Sequence, residues 1–131
     1  MAVPGLTTIK SGHPARETMS RLEAAVKAKG LTVFARIDHA EGAAAVGLSL
    51  RPTEVLIFGN AKGGTPLMEA AQTIGIDLPL KALAWQDASG ETWLSWNDPS
   101  WLAARHDLSV EAVTGKLSAL LADVAKTATA A

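Results

Sequence analysis

The fold is decided by residues 81–97, which read Lys-Ala-Leu-Ala-Trp-Gln-Asp-Ala-Ser-Gly-Glu-Thr-Trp-Leu-Ser-Trp-Asn. Apolar side chains recur through both halves of this stretch, and the residues between them, Asp87 to Gly90, suit a tight turn. We therefore predict two strands, 81–87 and 91–97, joined as a hairpin. Strands that follow one another directly are typical of an α+β fold rather than of alternating strand–helix units.

Three further strands are predicted before the hairpin. Residues 54–59 are apolar at consecutive positions, which indicates a strand covered on both faces. In residues 31–38 the alternation places Leu31, Val33, Ala35 and Ile37 on one face, and Thr32, Phe34, Arg36 and Asp38 on the other. Residues 6–10 alternate weakly and read as a short first strand.

Two long helices and two short ones accompany these strands. The first long helix is predicted over 14–29, where Met19, Leu22 and Val26 recur at helical spacing before Gly30. We expect Ser109 to cap the last helix, whose apolar stripe comprises Val110, Val113, Leu117, Leu120, Leu121 and Val124. A capping box at Asp38 and Glu41 predicts a short helix that extends to Val46. Thr65 and Pro66 suit the N-cap and first residue of a second short helix, which runs to about Ile74.

The resulting prediction is an α+β fold of order β-α-β(4)-α. We expect an antiparallel or mixed sheet, both main helices on one of its faces, and short helices inserted between strands. The 131 residues are the length of a single domain, so we assign 1–131 to one domain with its core at about 6–125. The alanine- and threonine-rich tail, 126–131, is expected to fray.

Composition excludes several classes of protein. Apolar residues make up 48% of the chain and charged residues 19%, which is typical of globular proteins. Twelve basic against 13 acidic residues give a net charge of −1, so we expect neither nucleic acid nor a membrane as a partner. The absence of cysteine excludes disulfides and thiolate chemistry. Residues 1–5 show no signal-peptide pattern, so we expect a cytoplasmic protein.

Apolar side chains occur at both the odd and the even positions of the predicted strands, and therefore on both faces of the sheet. Val55 and Ile57 alternate with Leu56 and Phe58, for example. Two amphipathic helices cover only one face of such a sheet, and a soluble monomer seldom exposes an apolar patch above roughly 300–600 Å². The second face therefore needs a cover, for which we consider the inserted short helices, a ligand and a second subunit. We predict that the chain is a homodimer.

The segment Asn60-Ala61-Lys62-Gly63-Gly64-Thr65 carries the clearest signal of a binding site. It joins a strand to a helix, and amide groups at a helix N-terminus, with a nearby lysine, suit an anion. The segment lacks the Lys-Ser/Thr ending of a Walker loop. We predict a non-catalytic binding module for a small anionic or polar ligand. Its site residues are Asn60, Lys62, Gly63, Gly64, Thr65 and Lys81, the last supplied by a neighbouring strand.

Two other functions remain open. The first is an enzyme with Lys81, Asp98 or a histidine as general base, although the sequence carries no recognised catalytic motif. The second is a protein–protein interaction module that uses the tryptophans clustered at positions 85, 93, 96 and 101, which lie among residues without lysine or arginine. His13, His39 and His106 are not at metal-ligand spacing, so we expect neither a metal nor a cofactor.

Four blocks of sequence resemble the bacterial and archaeal domain of unknown function 302 family. They are residues 29–39, 58–68, 77–83 and 93–99, in that order. The resemblance spans about residues 6–125 and implies a fold similar to one repeat of the TATA-box-binding protein. It implies no established activity, and likeness to a DNA-binding fold does not transfer function.

Overall fold

The fold is described from a computed structural model, which covers residues 2–109 and 111–131. Val110, predicted to belong to the last helix, and Met1 of the N-terminal segment lie outside the described residues. The elements follow in the order β1 (Leu6–Ser11), α1 (Ala15–Ala28), β2 (Thr32–Asp38), α2 (His39–Ala45), β3 (Thr53–Gly59), α3 (Ala61–Ala70), a 3₁₀ helix (Gln72–Ile76), β4 (Leu80–Gln86), β5 (Thr92–Asn97), α4 (Pro99–Arg105) and α5 (Glu111–Thr129).

The strands form one antiparallel sheet in the order β1-β5-β4-β3-β2. The predicted hairpin is present, with Trp85 opposite Trp93 and the Asp87 carboxylate accepting hydrogen bonds from the amides of Ser89 and Glu91 at 2.9 Å. These bonds explain why a four-residue turn closes here, since an aspartate at its start satisfies two amides of the turn. The predicted α+β class is therefore confirmed.

The main core lies between the sheet and helices α1 and α5. Both helices pack on the same face, as predicted, and they bury one continuous cluster of apolar side chains. Its largest members on the sheet side are Leu56, Phe58, Leu94 and Trp96, and on the helix side Met19, Leu22, Val26, Leu121 and Val124. We call this side of the sheet the helix face.

The faces predicted for β2 are partly wrong, because a register irregularity between Val33 and Ala35 interrupts the alternation. Val33 lies opposite Phe58 on the helix face, whereas Ala35 lies opposite Ile57 on the other face. A bulge of this kind leaves one residue unpaired. Phe34 is that residue, and it is 56% exposed.

The same bulge turns Arg36 toward α1. Its Nε donates to Glu54 Oε1 at 3.0 Å, and its Nη2 donates to the Arg16 carbonyl at 3.2 Å. Glu54 is buried on the helix face, so the guanidinium compensates a carboxylate that would otherwise lie unpaired. The ion pair joins β2 to β3, and the hydrogen bond to the Arg16 carbonyl ties this edge of the sheet to α1.

Two helix boundaries differ from the predictions, and one helix was not predicted. Helix α3 begins at Ala61, with Asn60 rather than Thr65 as its N-cap, so Pro66 lies inside the helix. Helix α4 was not predicted, although Asp98 and Pro99 supply its N-cap and first residue. Helix α5 continues to Thr129 instead of fraying after Lys126, because the Thr129 carbonyl accepts a hydrogen bond from the Gly12 amide at 2.8 Å and Ala128 is buried.

Candidate interaction surface

The second face of the sheet carries apolar side chains, interspersed with polar and charged ones, that lie outside the core beneath α1 and α5. We call this side the open face. Directly opposite residues in an antiparallel pair point to the same side of the sheet, so the register assigns its members. They are Leu6, Thr8 and Lys10 on β1; Trp93, Ser95 and Asn97 on β5; Lys81, Leu83 and Trp85 on β4; Thr53, Val55 and Ile57 on β3; and Ala35 and Ile37 on β2.

A buried serine organises the centre of the open face. Ser95 is 2% exposed, and its hydroxyl accepts a hydrogen bond from the Trp85 indole Nε1 at 2.9 Å. The same hydroxyl is hydrogen-bonded to Thr8 Oγ1 at 2.8 Å. An indole whose N–H is satisfied from within its own chain presents only an apolar ring to a partner.

The second indole of the open face is anchored by the hairpin turn. Trp93 Nε1 donates to Asp87 Oδ2 at 2.8 Å, and the two tryptophan rings lie with centroids 6.4 Å apart at 31°. The Trp93 hydrogen bond, together with those from the Glu91 and Ser89 amides, lowers the pKa of Asp87 below its usual value. The carboxylate therefore stays ionised and holds the ring in place at neutral pH.

Two grooves run along the open face and meet at Leu6. One lies between the N-terminal residues and the paired indoles, and the other crosses the centre of the sheet. The first is lined by Ala2, Val3, Leu6, Thr8, Trp85, Asp87 and Trp93, and the second by Leu6, Val55, Lys81, Ala82, Leu83, Ser95, Trp96 and Asn97. Their lining combines apolar side chains and the paired groups of Thr8, Ser95, Trp85 and Trp93 with the polar side chains of Asp87, Lys81 and Asn97.

The structure separates the predicted binding residues into two places. Asn60 Oδ1 accepts the Gly63 amide at 2.6 Å, and the Asn60 carbonyl accepts the Gly64 amide at 3.1 Å, so two of the amides predicted for an anion serve the helix cap. Lys62 and Thr65 are exposed on α3. Lys81 points to the open face, where its Nζ donates to the carbonyls of Asp77 and Pro79.

Asp98 and His13, which were considered as general bases, have structural partners. Asp98 Oδ1 caps α4 by accepting the Ser100 amide at 3.0 Å. The His13 ring is hydrogen-bonded to the Ala130 carbonyl, and His39 is exposed at the start of α2. Among residues 2–109 and 111–131, no group of three histidine or carboxylate side chains is placed to hold a metal ion.

A polar cluster that the sequence did not reveal joins α4 to the 3₁₀ helix. His106 is hydrogen-bonded through Nε2 to Asp77 and through Nδ1 to Thr73 Oγ1. Arg105 Nη1 lies 2.8 Å from Asp77 Oδ1. Burial opposes ionisation of Asp77, but hydrogen bonds and charge from His106 and Arg105 outweigh it and lower the pKa of the carboxyl. Because Arg105 neutralises the charge of Asp77, we interpret this cluster as a structural contact that holds the end of α4 against the 3₁₀ helix.

Comparison with known proteins places the chain in a family. The model of the family described as "Domain of unknown function DUF302" matches residues 7–124. The chain belongs to the DUF302 family. A crystal structure of an uncharacterized DUF302 protein from Bacillus stearothermophilus superposes with a TM-score of 0.84 over 96% of this chain and 99% of that one. At 21% identity, this likeness shows the fold alone.

Curated relatives with higher identity are longer proteins. The chain is 53% identical over 106 residues to proteins named "Fluoride-specific ion channel FluC 1" from Brucella suis and Brucella abortus. The match covers 81% of this DUF302 chain, but only 42% and 39% of those two proteins. Within the described residues, no helix has the length and apolar character needed to span a membrane.

Proposed function

We propose that this DUF302 chain is a protein–protein interaction module that self-associates through its open face. The observation that carries the proposal is an apolar sheet surface whose indole and hydroxyl groups are satisfied within the chain. Burying these paired indole and hydroxyl groups leaves none of them without a partner, so the benefit of removing the apolar area around them from water is not offset by their desolvation.

The exposed area of the chain is large enough to include one protein–protein interface. A folded monomer of 13.6 kDa exposes about 6,600 Å² by the usual scaling of surface with mass. This chain exposes 7494 Å², an excess of about 900 Å². A standard interface removes about 800 Å² from each partner, so the excess matches one such interface.

The apolar residues left exposed support the same conclusion. Leu6 and Ile37 of the open face are 37% and 41% exposed. Outside the strands that form the open face, Val46, Leu48 and Leu50 of the segment between α2 and β3 are also at least half exposed. In a two-fold symmetric dimer each such patch meets its own copy, so self-complementarity of one apolar face is sufficient.

Analytical ultracentrifugation of matched variants tests the proposal. We expect the molar mass of the wild-type protein in sedimentation to be about twice 13.6 kDa at micromolar concentration. Leu83→Lys places a charge in the middle of the open face and should weaken self-association by at least about 100-fold. Ile76→Lys, at a 76% exposed position in the 3₁₀ helix, is the matched control and should associate as wild type. A wild-type chain that stays monomeric, or equal effects of both lysines, contradicts the proposal.

The predicted anion site at Asn60–Thr65 is less well supported, because the Gly63 and Gly64 amides already serve the α3 cap and Lys81 lies on the open face. It remains a prediction that phosphate or sulfate soaking tests. Density bound to the Ala61 and Lys62 amides would restore it.

A second candidate function comes from the Brucella relatives, which are named fluoride-specific ion channels and contain a stretch 53% identical to this chain. On that basis we propose an accessory role beside a fluoride channel. A host strain lacking this chain should then be several-fold more sensitive to fluoride and unchanged toward chloride. Equal fluoride tolerance with and without the chain contradicts this candidate.

A further inference from the structure

A small cavity lies on the helix face, at the end of the sheet away from the hairpin turn. It holds about 90 Å³ and lies beside the start of α3. Nine residues line it, six of which are leucines: Leu31, Asn60, Gly63, Gly64, Leu67, Leu78, Leu80, Leu117 and Leu120. The leucine side chains that make up most of its lining offer water few hydrogen bonds.

Two glycines in the first turns of α3 help to keep this space open. Gly63 and Gly64 both lie within the helix, where glycine is less favourable than alanine. Neither has a positive φ, so the backbone does not require glycine. A Cβ at Gly64 would make ordinary contacts of 3.6 Å with Leu78 Cδ1 and Met68 Cε. An alanine would therefore fit at position 64, and it would occupy part of the cavity.

Asn60 supplies the polar end of the cavity. Its Oδ1 is used by the Gly63 amide, at 2.6 Å, in capping α3. Its Nδ2 has no protein acceptor among the residues that the structure describes and is free to donate. The remaining side chains that line the cavity are hydrocarbon, so a ligand here must be apolar along its length, and an acceptor at the end beside Asn60 would find a donor in Nδ2.

We propose that this cavity binds a short, uncharged hydrocarbon chain whose terminal hydroxyl or carbonyl oxygen accepts a hydrogen bond from Asn60 Nδ2. The cavity lies on the opposite side of the sheet from the open face. The proposal is therefore independent of self-association and survives its failure. Apolar cavities of this kind in protein interiors admit xenon and small hydrocarbons.

Methyl NMR of ¹³C-leucine-labelled protein tests the proposal with three probes. Xenon fills apolar space, 1-butanol combines a chain with an acceptor, and methanol has the acceptor with almost no chain. We expect xenon and 1-butanol to shift the methyl signals of Leu67, Leu78 and Leu117 saturably, and methanol to leave them unchanged. Signals that do not move, or that move linearly without saturation, overturn the proposal.

Substitutions that fill the cavity provide the second part of the test. Gly64→Ala should weaken binding of both xenon and 1-butanol by about fivefold or more, and Leu120→Phe should weaken it further. Gly115→Ala, a matched change on α5 with open space around it, should have no effect. If Leu120→Phe does not fold, Gly64→Ala decides the result, because alanine favours the helix. Wild-type affinity in Gly64→Ala overturns the proposal.

Asn60→Asp separates the role of the donor from that of the cap. Aspartate keeps the oxygen that caps α3 and is an equally good N-cap residue, but it removes the Nδ2 donor. We expect 1-butanol to bind several-fold more weakly to this variant and xenon to bind unchanged. Equal loss for both probes, or no loss for 1-butanol, contradicts the assigned role of Asn60.

Discussion

Ser95→Ala removes the hydroxyl that organises the open face. In the native chain this hydroxyl accepts the Trp85 indole N–H at 2.9 Å and is hydrogen-bonded to Thr8 at 2.8 Å. Ser95 is 2% exposed, so water does not readily replace the lost partner. We therefore expect both hydrogen bonds to be lost while the indole N–H stays largely desolvated.

The magnitude follows from these two bonds. Each contributes about 0.5–1.5 kcal/mol, and an unsatisfied buried donor costs about 1–3 kcal/mol. We expect the free energy of unfolding to fall by about 2 kcal/mol. With a urea dependence of about 1–3 kcal/mol per molar for a small protein, the unfolding midpoint should fall by about 1 M.

Urea titration followed by tryptophan fluorescence measures this change at one fixed protein concentration, so that self-association does not alter the comparison. Ser100→Ala is the matched control, because Ser100 is exposed on α4 and the hydrogen bond to Asp98 uses its backbone amide. The control should stay within about 0.5 kcal/mol of wild type. Equal midpoints for the two variants would show that Ser95 does not anchor Trp85.

Three further outcomes are expected. Phe58→Ala should lower the free energy of unfolding by about 3–5 kcal/mol, because Phe58 is completely buried. Phe34→Ala at the exposed bulge should lower it by less than about 1 kcal/mol. Similar losses in the two variants would contradict the assigned faces of the sheet. Arg36→Met leaves Glu54 buried without its partner, so the free energy of unfolding measured by urea titration should fall by about 3 kcal/mol. The double variant Arg36→Met/Glu54→Gln should recover at least half of that loss, and no recovery would refute the role of the pair. Asp77 has a lowered folded pKa, so its contribution is present above its unfolded pKa and is lost as pH falls through the folded value. The difference in Tm between wild type and Asp77→Asn should therefore shrink below about pH 4, and a constant difference from pH 7 to pH 3 would contradict it.

The strands and long helices could be predicted from the sequence because their signals are local. The turn from Asp87 to Gly90, the apolar spacing of Met19, Leu22 and Val26, and the capping box at Asp38 each lie within one element. The Asp38 side chain does accept the Glu41 amide, at 2.9 Å, as predicted. Periodicity and capping chemistry suffice for such features.

Features that depend on register could not be predicted. Phe58 and Trp96 lie beneath the helices while Trp85 and Trp93 face outward, and only the pairing of strands decides which indole is on which side. The bulge at Phe34 reverses the expected faces of the second half of β2 for the same reason. The presence of apolar residues on both faces was predictable, because alternate residues of a strand point to opposite faces of the sheet whatever the pairing.

Two features of the candidate sites arise from competition or distance. Asn60 and Thr65 are both good N-caps, and the helix begins at the earlier one because Asn60 Oδ1 reaches the Gly63 amide. Asp77 and His106 are 29 residues apart, so no local pattern connects them. The leucine cavity likewise needs β4, α3 and α5 to be assembled before its lining exists.

Intermolecular NOEs in a sample mixed from ¹³C-methyl-labelled and unlabelled chains test the central claim most directly. If the open face is covered by a second copy, the methyl groups of Ile57 and Leu83 will show NOEs to ring protons of Trp85 or Trp93 on an unlabelled chain. Intermolecular NOEs confined to residues of α1 and α5, or a rotational correlation time matching 13.6 kDa with no such NOEs, would contradict it.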